Sequence, residues 1–256
     1  MAQAAFLAGD TLLALSTRRE ALRIQEKTVG DFVTNADFQA EKIISAYLCD
    51  RYPDYGWLGE ESGDLASGNA TRKWIVDPLD GTTNFLKGLP HWAISIALYD
   101  EEIPVAAIVY DPCKSELFAA ERGQGAFLNG GRIQVSQKVE MSAAILATGV
   151  PAGGRVTYLP NCLTDIEKIM PVTAGIRRWG AAALDLAYVA SGRVDAYWER
   201  NLGVWDVAAG VLLVQEAGGK VERLWRKHSV LSSGSLVAGD EELLEKIMPY
   251  LDRRLR

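Results

Sequence analysis

Acidic side chains and a glycine turn lie close together in the segment WIVDPLDGTTNF, residues 74–85. We expect the apolar stretch before Asp77 to be a strand that ends at Pro78. Asp80 follows after one turn. The two carboxylates can converge on one point across the proline turn. The GTT that follows opens a predicted helix, whose first backbone N–H groups suit a phosphate. Cation ligands beside an anion-binding turn are what metal-assisted hydrolysis of a phosphate ester requires.

A purely structural interpretation of this segment is equally simple, because DGTT can be a helix cap in a tight turn. Other acidic residues shift the balance. Glu60 and Glu61 follow an apolar strand in WLGEES, Asp31 and Asp37 flank a predicted helix start, and Asp206 opens a long apolar helix. Each can be a surface turn or a cap by itself. Their shared location at strand ends and helix starts favours one common site.

The ligand types indicate which metal such a site would take. The two histidines, His91 and His228, are not in H-E-x-x-H spacing. Carboxylate ligation favours Mg²⁺, with Mn²⁺ as the alternative, over zinc. The sequence has no G-x-S-x-G elbow and no P-loop, and the glycines of ERGQG (121–125) do not complete a dinucleotide-binding motif.

Composition narrows the class of protein further. The 256 residues carry a formal net charge of -6, which argues against direct binding of nucleic acid. Cys49, Cys113 and Cys162 form no C-x-x-C pair, as expected in a reducing cytoplasm. The N-terminus lacks the basic start of a signal peptide, and Asp10 interrupts its apolar stretch. No apolar run reaches the roughly 18 residues of a membrane span, so we expect no membrane contact.

Helices and strands alternate in blocks along the chain, which predicts a layered α/β or α+β fold. We expect helices over 2–20, from Asp37 to near Pro53, and over AAALDLAYVASG, WDVAAGVLLVQEAGG and the C-terminal EELLEKIMPYLDRRL. Predicted strands include WLG, WIVD, WAISIALYD, EIPVAAIVYD and VDAYWE.

These motifs together resemble the inositol monophosphatase family. GEES, WIVDPLDGTTNF and WDVAAGVLLVQEAGG are similar to its acidic turn and two signature blocks, and DFVTNAD and GIRRWGAAALDLAYVASGRVDAYWE match between them. The similarity runs from about Phe6 to Gly239. It implies a five-layered αβαβα sandwich and a homodimer. The expected organisation is one domain over 1–256, with an α+β half over about 1–145 and an α/β half over about 146–256.

The resemblance also implies a set of metal ligands. Glu60, Asp77 and the Leu79 carbonyl would hold a first Mg²⁺, and Asp77, Asp80 and Asp206 a second. Glu60 would face a weakly held third ion.

The remaining implied roles concern phosphate and water. The amides of Gly81 and Thr82 would bind the phosphate, and Glu61 would lie outside the ligand set. Thr82 paired with Asp37 would orient the attacking water, which makes Asp37, Thr82 and Glu60 the implied catalytic residues.

The alcohol end of the implied site is less polar. Glu199 occupies the position that contacts a hydroxyl of inositol, and Gly180, Ala181 and Ala182 lie where a loop lines the pocket. Many members carry a hydroxyl residue near Ala181, and this chain does not. RLWRKHSVLSSGS also departs from the usual Asp- and Gly-containing hairpin, which leaves the role of residues 222–235 open.

The expected function is therefore a Mg²⁺-dependent, lithium-sensitive phosphomonoesterase for a small phosphorylated alcohol, with inositol monophosphate as first candidate. Histidinol phosphate, fructose bisphosphate and a phosphoadenosine nucleotide are alternative substrates within the superfamily. A regulatory binding protein with a residual site is the alternative of a different class. Some bacterial relatives contact the transcription machinery, and Arg177 and Arg178 could serve such a contact.

Overall fold

The computed structural model describes residues 1–18, 20, 22–28, 31–65, 70–151, 156–225 and 229–253, without the side chains of 27, 28 and 31. Within these residues the helices are α1 Ala2–Ser16, α2 Asn35–Arg51, α3 Thr82–Lys87, α4 Leu159–Ile169, α5 Ala182–Ala190, α6 Val204–Glu216, α7 Val230–Ser233 and α8 Glu241–Ile247. The strands are β1 Ile24–Thr28, β2 Asp31–Thr34, β3 Gly56–Gly59, β4 Gly63–Leu65, β5 Arg72–Asp80, β6 Ala93–Asp100, β7 Ile103–Asp111, β8 Glu116–Glu121, β9 Gly125–Leu128, β10 Gly131–Ile133, β11 Ile145–Thr148, β12 Gly175–Arg177, β13 Ala196–Glu199, β14 Lys220–Arg223 and β15 Leu236–Gly239.

Two large sheets organise these elements. The first has eight strands in the order β10-β9-β8-β7-β6-β5-β3-β4, and all neighbours are antiparallel except β3 and β5. The second has five strands in the order β12-β11-β13-β15-β14, with β11 parallel to both of its neighbours. A small β1–β2 hairpin stands apart from both.

Apolar side chains alternate between the two faces of each sheet and so define the layers. On one face of the first sheet, α1 and α2 pack against Trp57, Trp74 and Ile96. On its other face, α5 and α6 fill the space between the two sheets and form one large core with both. The outer face of the second sheet packs against α4 and α8. The order is α, β, α, β, α, which confirms the predicted five-layered sandwich.

Local chemistry explains where the predicted helices begin and end. The first helix ends at Ser16 and not at residue 20, because the hydroxyls of Ser16 and Thr17 bond back to carbonyls of the last turn. The C-terminal helix is likewise shorter than predicted. It ends at Ile247 and passes into a short 3₁₀ turn that contains Pro249, which cannot continue an α-helix.

The expected end of a strand at Pro78 is wrong. β5 continues to Asp80, with a shift of its β6 register between Asp77 and Asp80. The pairing with β3 stops at Val76, so the missing N–H of Pro78 interrupts no ladder there. The irregularity turns the end of the strand and carries both aspartates.

The segment 222–235 falls partly outside the described residues, at 226–228. Its described part contributes the end of β14 and the whole of α7. Among the described helices, none combines the length and apolar character needed to cross a membrane.

Candidate functional site

Three carboxylates that are distant in sequence come together where β5 ends. Asp77 and Asp80 come from the irregular end of that strand, and Asp206 comes from the first turn of α6. One oxygen of each lies within 4.8 Å of the others. Oxygen ligands around one Mg²⁺ stand roughly 3–4 Å apart, so small side-chain adjustments suffice for a shared cation.

Backbone N–H groups fix the orientation of the two strand carboxylates. Oδ1 of Asp77 accepts a hydrogen bond from the Leu79 N–H at 2.9 Å. Oδ2 of Asp80 accepts one from the Ala183 N–H at 2.7 Å, so the start of α5 holds the second aspartate. The N-terminal end of a helix favours this negative charge.

The concentration of buried negative charge is unfavourable without a counter-ion. Burial, and then the charges of Glu60, Asp80 and Asp206, raise the pKa of Asp77 well above its usual range. Burial, and then the charge of Asp206, do the same to the pKa of Asp80. A divalent cation would oppose both causes, so this donor set fits a metal that only oxygen atoms coordinate.

The acidic turn after β3 is held by three hydrogen bonds to two neighbouring elements, β5 and α2. The Glu60 N–H donates to the Val76 carbonyl at 3.1 Å. The carboxylate of Glu41, which is 5% exposed, accepts the N–H groups of Glu61 and Ser62, each at 2.9 Å. Glu41 thus joins α2 to the turn that carries both predicted glutamates.

Two of the predicted site aspartates also cap helices, as the structural interpretation proposed. Asp206 accepts the Gly203 N–H at 2.7 Å at the start of α6. Asp37 accepts both the N–H and the hydroxyl of Thr34, at 2.9 and 2.7 Å, at the start of α2. Capping and membership of the acidic site are therefore compatible.

Asp37 also contacts the signature segment. The Thr82 hydroxyl lies 3.1 Å from Oδ1 of Asp37 and 3.1 Å from the Leu79 carbonyl. Burial raises the pKa of Asp37, and the hydrogen bonds from Thr34 and Thr82 oppose that rise. The predicted pair of Asp37 and Thr82 is thus brought together across 45 residues of sequence.

Gly81 joins the strand to α3 in a conformation that favours glycine. Its φ is 91°, and a Cβ there would lie 3.1 Å from the His91 carbonyl and 3.2 Å from the Cβ of Ala181. The side-chain amide of Asn84 donates to the carbonyls of His91 and Trp179, at 2.7 and 2.8 Å. These two hydrogen bonds hold the turn against the loops that contain His91 and Trp179.

A cavity of about 600 Å³ opens in front of these residues. Glu199, at the end of β13, and the loop with Gly180 and Ala182 also line this cavity. Ala181 is 1% exposed and packs beside Gly81. The predicted site residues that line the cavity are Glu60, Asp77, Leu79, Asp80, Gly81, Thr82, Gly180, Glu199 and Asp206.

Sequence reasoning missed Glu41, Asn84 and Tyr197, all of which hold site residues in place. Glu41 is 20 residues from the turn that it binds, and no pattern signals that contact. Tyr197 carries a detectable signal, since residues i and i+2 of a strand share a face and Tyr197 therefore lies on the same side as Glu199.

Comparison with known proteins agrees with this geometry. The model of the inositol monophosphatase family matches residues 1–256. The chain belongs to this family. It is 44% identical over 253 residues to the inositol-1-monophosphatase of Rhizobium meliloti, covering 99% of this chain and 95% of that protein. It is also 44% identical over 261 residues to the Nus factor SuhB of Pseudomonas aeruginosa, covering 99% and 96%.

A solved structure of the same type matches the whole fold. The extragenic suppressor protein suhB from Bartonella henselae superposes with a TM-score of 0.95 at 42% identity, covering 100% of this chain and 98% of that one. Membership of this phosphatase family confirms the prediction that the protein is a phosphoric monoester hydrolase. It also makes an oxygen-ligated metal the expected partner of the acidic cluster.

Proposed function

We propose that this phosphomonoesterase requires Mg²⁺ and hydrolyses inositol monophosphate by direct attack of water. The observation that carries the proposal is the convergence of Asp77, Asp80 and Asp206 within 4.8 Å in the wall of a cavity of about 600 Å³. Sites for small molecules commonly have volumes of about 300–1,000 Å³, so the cavity suits a phosphorylated polyol.

The proposed ligands divide between two principal ions. Glu60, Asp77 and the Leu79 carbonyl would hold the first, and Asp77, Asp80 and Asp206 would hold the second. Glu60 would also face a third, more weakly held ion. When bound, these ions supply positive charge and Lewis acidity, which neutralise the phosphate dianion and lower the pKa of water toward neutrality. Mn²⁺ is the alternative metal, since it accepts the same oxygen ligands.

The proposed role of Thr82 and Asp37 is to position the attacking water. The Thr82 hydroxyl donates its proton to Asp37 in the contact at 3.1 Å, which leaves the hydroxyl oxygen free to accept a hydrogen bond from the water at a defined point. Thr34 holds Asp37 from the other side. Because water attacks directly, no covalent enzyme intermediate is needed.

The phosphate and alcohol groups occupy neighbouring parts of the proposed site. The amides of Gly81 and Thr82 contact the phosphate, next to the carboxylate ligands. Glu199 accepts a hydrogen bond from a hydroxyl of the alcohol, and Gly180 and Ala181 form the adjoining loop. Arg178 and Asn201 also line the cavity. Because Glu199 is the one carboxylate that we place against the alcohol, we propose modest discrimination among alcohols.

A panel of phosphate esters tests the substrate assignment. With saturating Mg²⁺, we expect phosphate release from inositol and other polyol phosphates, with the highest kcat/KM for inositol monophosphate. If histidinol phosphate, fructose bisphosphate or a phosphoadenosine nucleotide gave a kcat/KM more than about tenfold higher, that ester would replace inositol monophosphate as the proposed substrate. No release from any ester would contradict the proposal. LiCl in the same assay tests the proposed lithium inhibition, which should be uncompetitive.

Glu41 offers a test of the acidic turn that does not alter a proposed ligand. Glu41→Gln replaces the carboxylate that accepts from the N–H groups of Glu61 and Ser62 by an amide with a single, uncharged acceptor oxygen, a loss of about 1–3 kcal/mol. We expect the dissociation constant for Mg²⁺ to rise about tenfold, since Glu60 loses its fixed position. Calorimetric titration of the metal-stripped protein measures this directly.

The matched control for Glu41→Gln is Asp50→Asn, which removes the same charge from the same helix. The Asp50 side chain is 81% exposed, and we expect its replacement to leave Mg²⁺ binding unchanged. Equal Mg²⁺ affinity for Glu41→Gln and the wild type would show that the acidic turn does not depend on Glu41.

A regulatory role is the second candidate, and the similarity to a Nus factor SuhB over 99% of the chain supports it. Arg177 and Arg178 are exposed and could contact a protein partner. Capture experiments with the Asp77→Asn variant separate the two roles. Recovery of transcription proteins by this variant as by the wild type, and their loss in Arg177→Ala, would support a binding function. Failure to recover them would count against it.

We also propose a homodimer located in the cytoplasm, on the basis of the family resemblance and the three free cysteines. Light scattering at several protein concentrations measures the mass in solution. A mass of about twice the 27.9 kDa of the chain is expected, and a monomer at all concentrations would contradict it.

A further inference from the structure

The end of strand β13 places neighbouring side chains on opposite faces of the second sheet. Tyr197 points into the core between the two sheets, and Trp198 points into the outer core with α4 and α8. Because side chains alternate along a strand, Glu199 returns to the side of Tyr197. This side faces the cavity, which Glu199 lines.

The Tyr197 hydroxyl binds the Glu199 carboxylate directly. Its Oη donates to Oε2 of Glu199 at 2.5 Å. Tyr197 is 0% exposed, and its burial, followed by the charge of Glu199, raises the pKa of the phenol well above its usual range. The hydroxyl therefore keeps its proton and remains a donor to the carboxylate.

Gly149 supplies the surface on which this carboxylate lies. It follows β11, which runs parallel to β13 with Thr148 opposite Trp198. A Cβ on Gly149 would lie 1.9 Å from the carboxyl carbon and both oxygens of Glu199. Only a residue without a side chain leaves the carboxylate in its observed place.

The main chain around Glu199 is anchored on both sides. The Thr148 hydroxyl donates to the Trp198 carbonyl at 2.7 Å. The next side chain, Arg200, is fully buried on the outer face and pairs with Asp165 at 2.5 Å. Strand movement is thereby restricted, and Tyr197 and Gly149 act directly on the orientation of the Glu199 side chain.

We propose that Tyr197 and Gly149 are positioning residues that set the discrimination of this phosphatase among alcohols. They hold the Glu199 carboxylate in one orientation at the cavity wall. In that orientation it can accept a hydrogen bond from a hydroxyl of a polyol phosphate. The inference rests on the proposed function, in which Glu199 contacts that hydroxyl. It adds that the selectivity depends on two residues that need not contact the substrate.

The test compares inositol 1-phosphate with glycerol phosphate, which has fewer hydroxyls to offer. Tyr197→Phe should lower the ratio of their kcat/KM values about tenfold, mainly by raising KM for inositol 1-phosphate, with kcat for glycerol phosphate within about twofold of the wild type. Gly149→Ala should lower the ratio as well, since Glu199 must move. The double variant Tyr197→Phe with Glu199→Gln should lose no more selectivity than Glu199→Gln alone.

Tyr99→Phe is the matched control, because it removes a hydroxyl from a tyrosine that is also buried. Tyr99 is 2% exposed and its hydroxyl donates to the Ala208 carbonyl at 3.1 Å. Both tyrosine variants should unfold at a lower temperature than the wild type, and only Tyr197→Phe should lower the ratio. Tyr197→Phe carries the test by itself if Gly149→Ala does not fold.

The possible failures are distinguishable. A wild type that hydrolyses neither ester overturns the proposed function and this inference with it. If both esters are hydrolysed and Tyr197→Phe leaves the ratio unchanged, the inference alone is overturned. It is also overturned if Glu199→Gln leaves the ratio unchanged, or if the losses of the two single variants multiply in the double variant.

Discussion

Replacing Asp77 by asparagine is expected to lower kcat by about 10³-fold or more, because the proposed carboxylate bridge between two ions would be lost. Asparagine has nearly the same shape and carries no charge. Asp77 is 1% exposed and lies near three other acidic groups, so the substitution also removes repulsion. In chelator, Asp77→Asn should therefore unfold at the same temperature as the wild type or higher. Phosphate release and thermal unfolding measure the two effects separately.

Asp111→Asn is the control for this experiment, since it neutralises a buried aspartate that does not line the cavity. Asp111 is fully buried and pairs with Lys114 at 2.5 Å. Its replacement should cost about 1–3 kcal/mol of stability and leave kcat close to that of the wild type. Asp77→Asn should thus lose turnover and keep its stability, whereas Asp111→Asn should lose stability and keep its turnover. Near-normal turnover in Asp77→Asn would contradict the proposed role of this residue.

The second large effect concerns the pair that would position the water. Thr82→Ala and Asp37→Asn should each lower kcat by about 10²–10³-fold, because the first removes the hydroxyl of the contact at 3.1 Å and the second removes the negative charge of its acceptor. KM should change much less, since the carboxylate cluster remains intact. The measurement is a full kinetic comparison of the wild type, both single variants and the double variant.

Coupling between these two residues is the distinctive part of that prediction. If they act as one unit, the double variant should be no slower than the slower single variant. Ser at position 82 retains the hydroxyl, so Thr82→Ser should keep most of the activity. A double variant whose loss equals the product of the two single losses would show that Thr82 and Asp37 act independently.

Local patterns in the sequence were sufficient to predict a layered α/β or α+β fold and the helices that carry the site, whereas the five layers were implied by the resemblance to the inositol monophosphatase family. The apolar repeat of AAALDLAYVASG and its glycine correspond to α5, and WDVAAGVLLVQEAGG corresponds to α6, opened by Asp206. The hairpin of β6 and β7 was also recognisable from two apolar runs around an acidic turn. These features depend on neighbours in sequence, where periodicity is informative.

The errors and omissions have a common physical origin in tertiary contacts. Pro78 reads locally as a strand end, yet the sheet accommodates it because one neighbouring strand has already stopped pairing. Glu41 binds the acidic turn at Glu61, 20 positions away in the sequence. The Ala183 N–H binds Asp80, 103 positions away. Such contacts follow from how the layers pack, which the sequence of any one element does not encode.

The roles assigned to the individual site residues stay predictions, although the structure brings most of them to one cavity. The division of the chain into halves near residue 145 also stays a prediction. The core between the sheets draws on both sides of that position, from Ile75 and Tyr99 to Tyr197 and Leu236. The site is likewise shared, since β5 supplies Asp77 and α6 supplies Asp206.

The most direct test of the account is a titration of metal-stripped protein with Mg²⁺, following phosphate release from inositol 1-phosphate. We predict no release in EDTA, a saturable return of activity as Mg²⁺ is added in excess, and no return in Asp77→Asn at the same concentrations. Turnover at the full rate in chelator, or full recovery of Asp77→Asn, would contradict hydrolysis by a carboxylate-bound metal cluster.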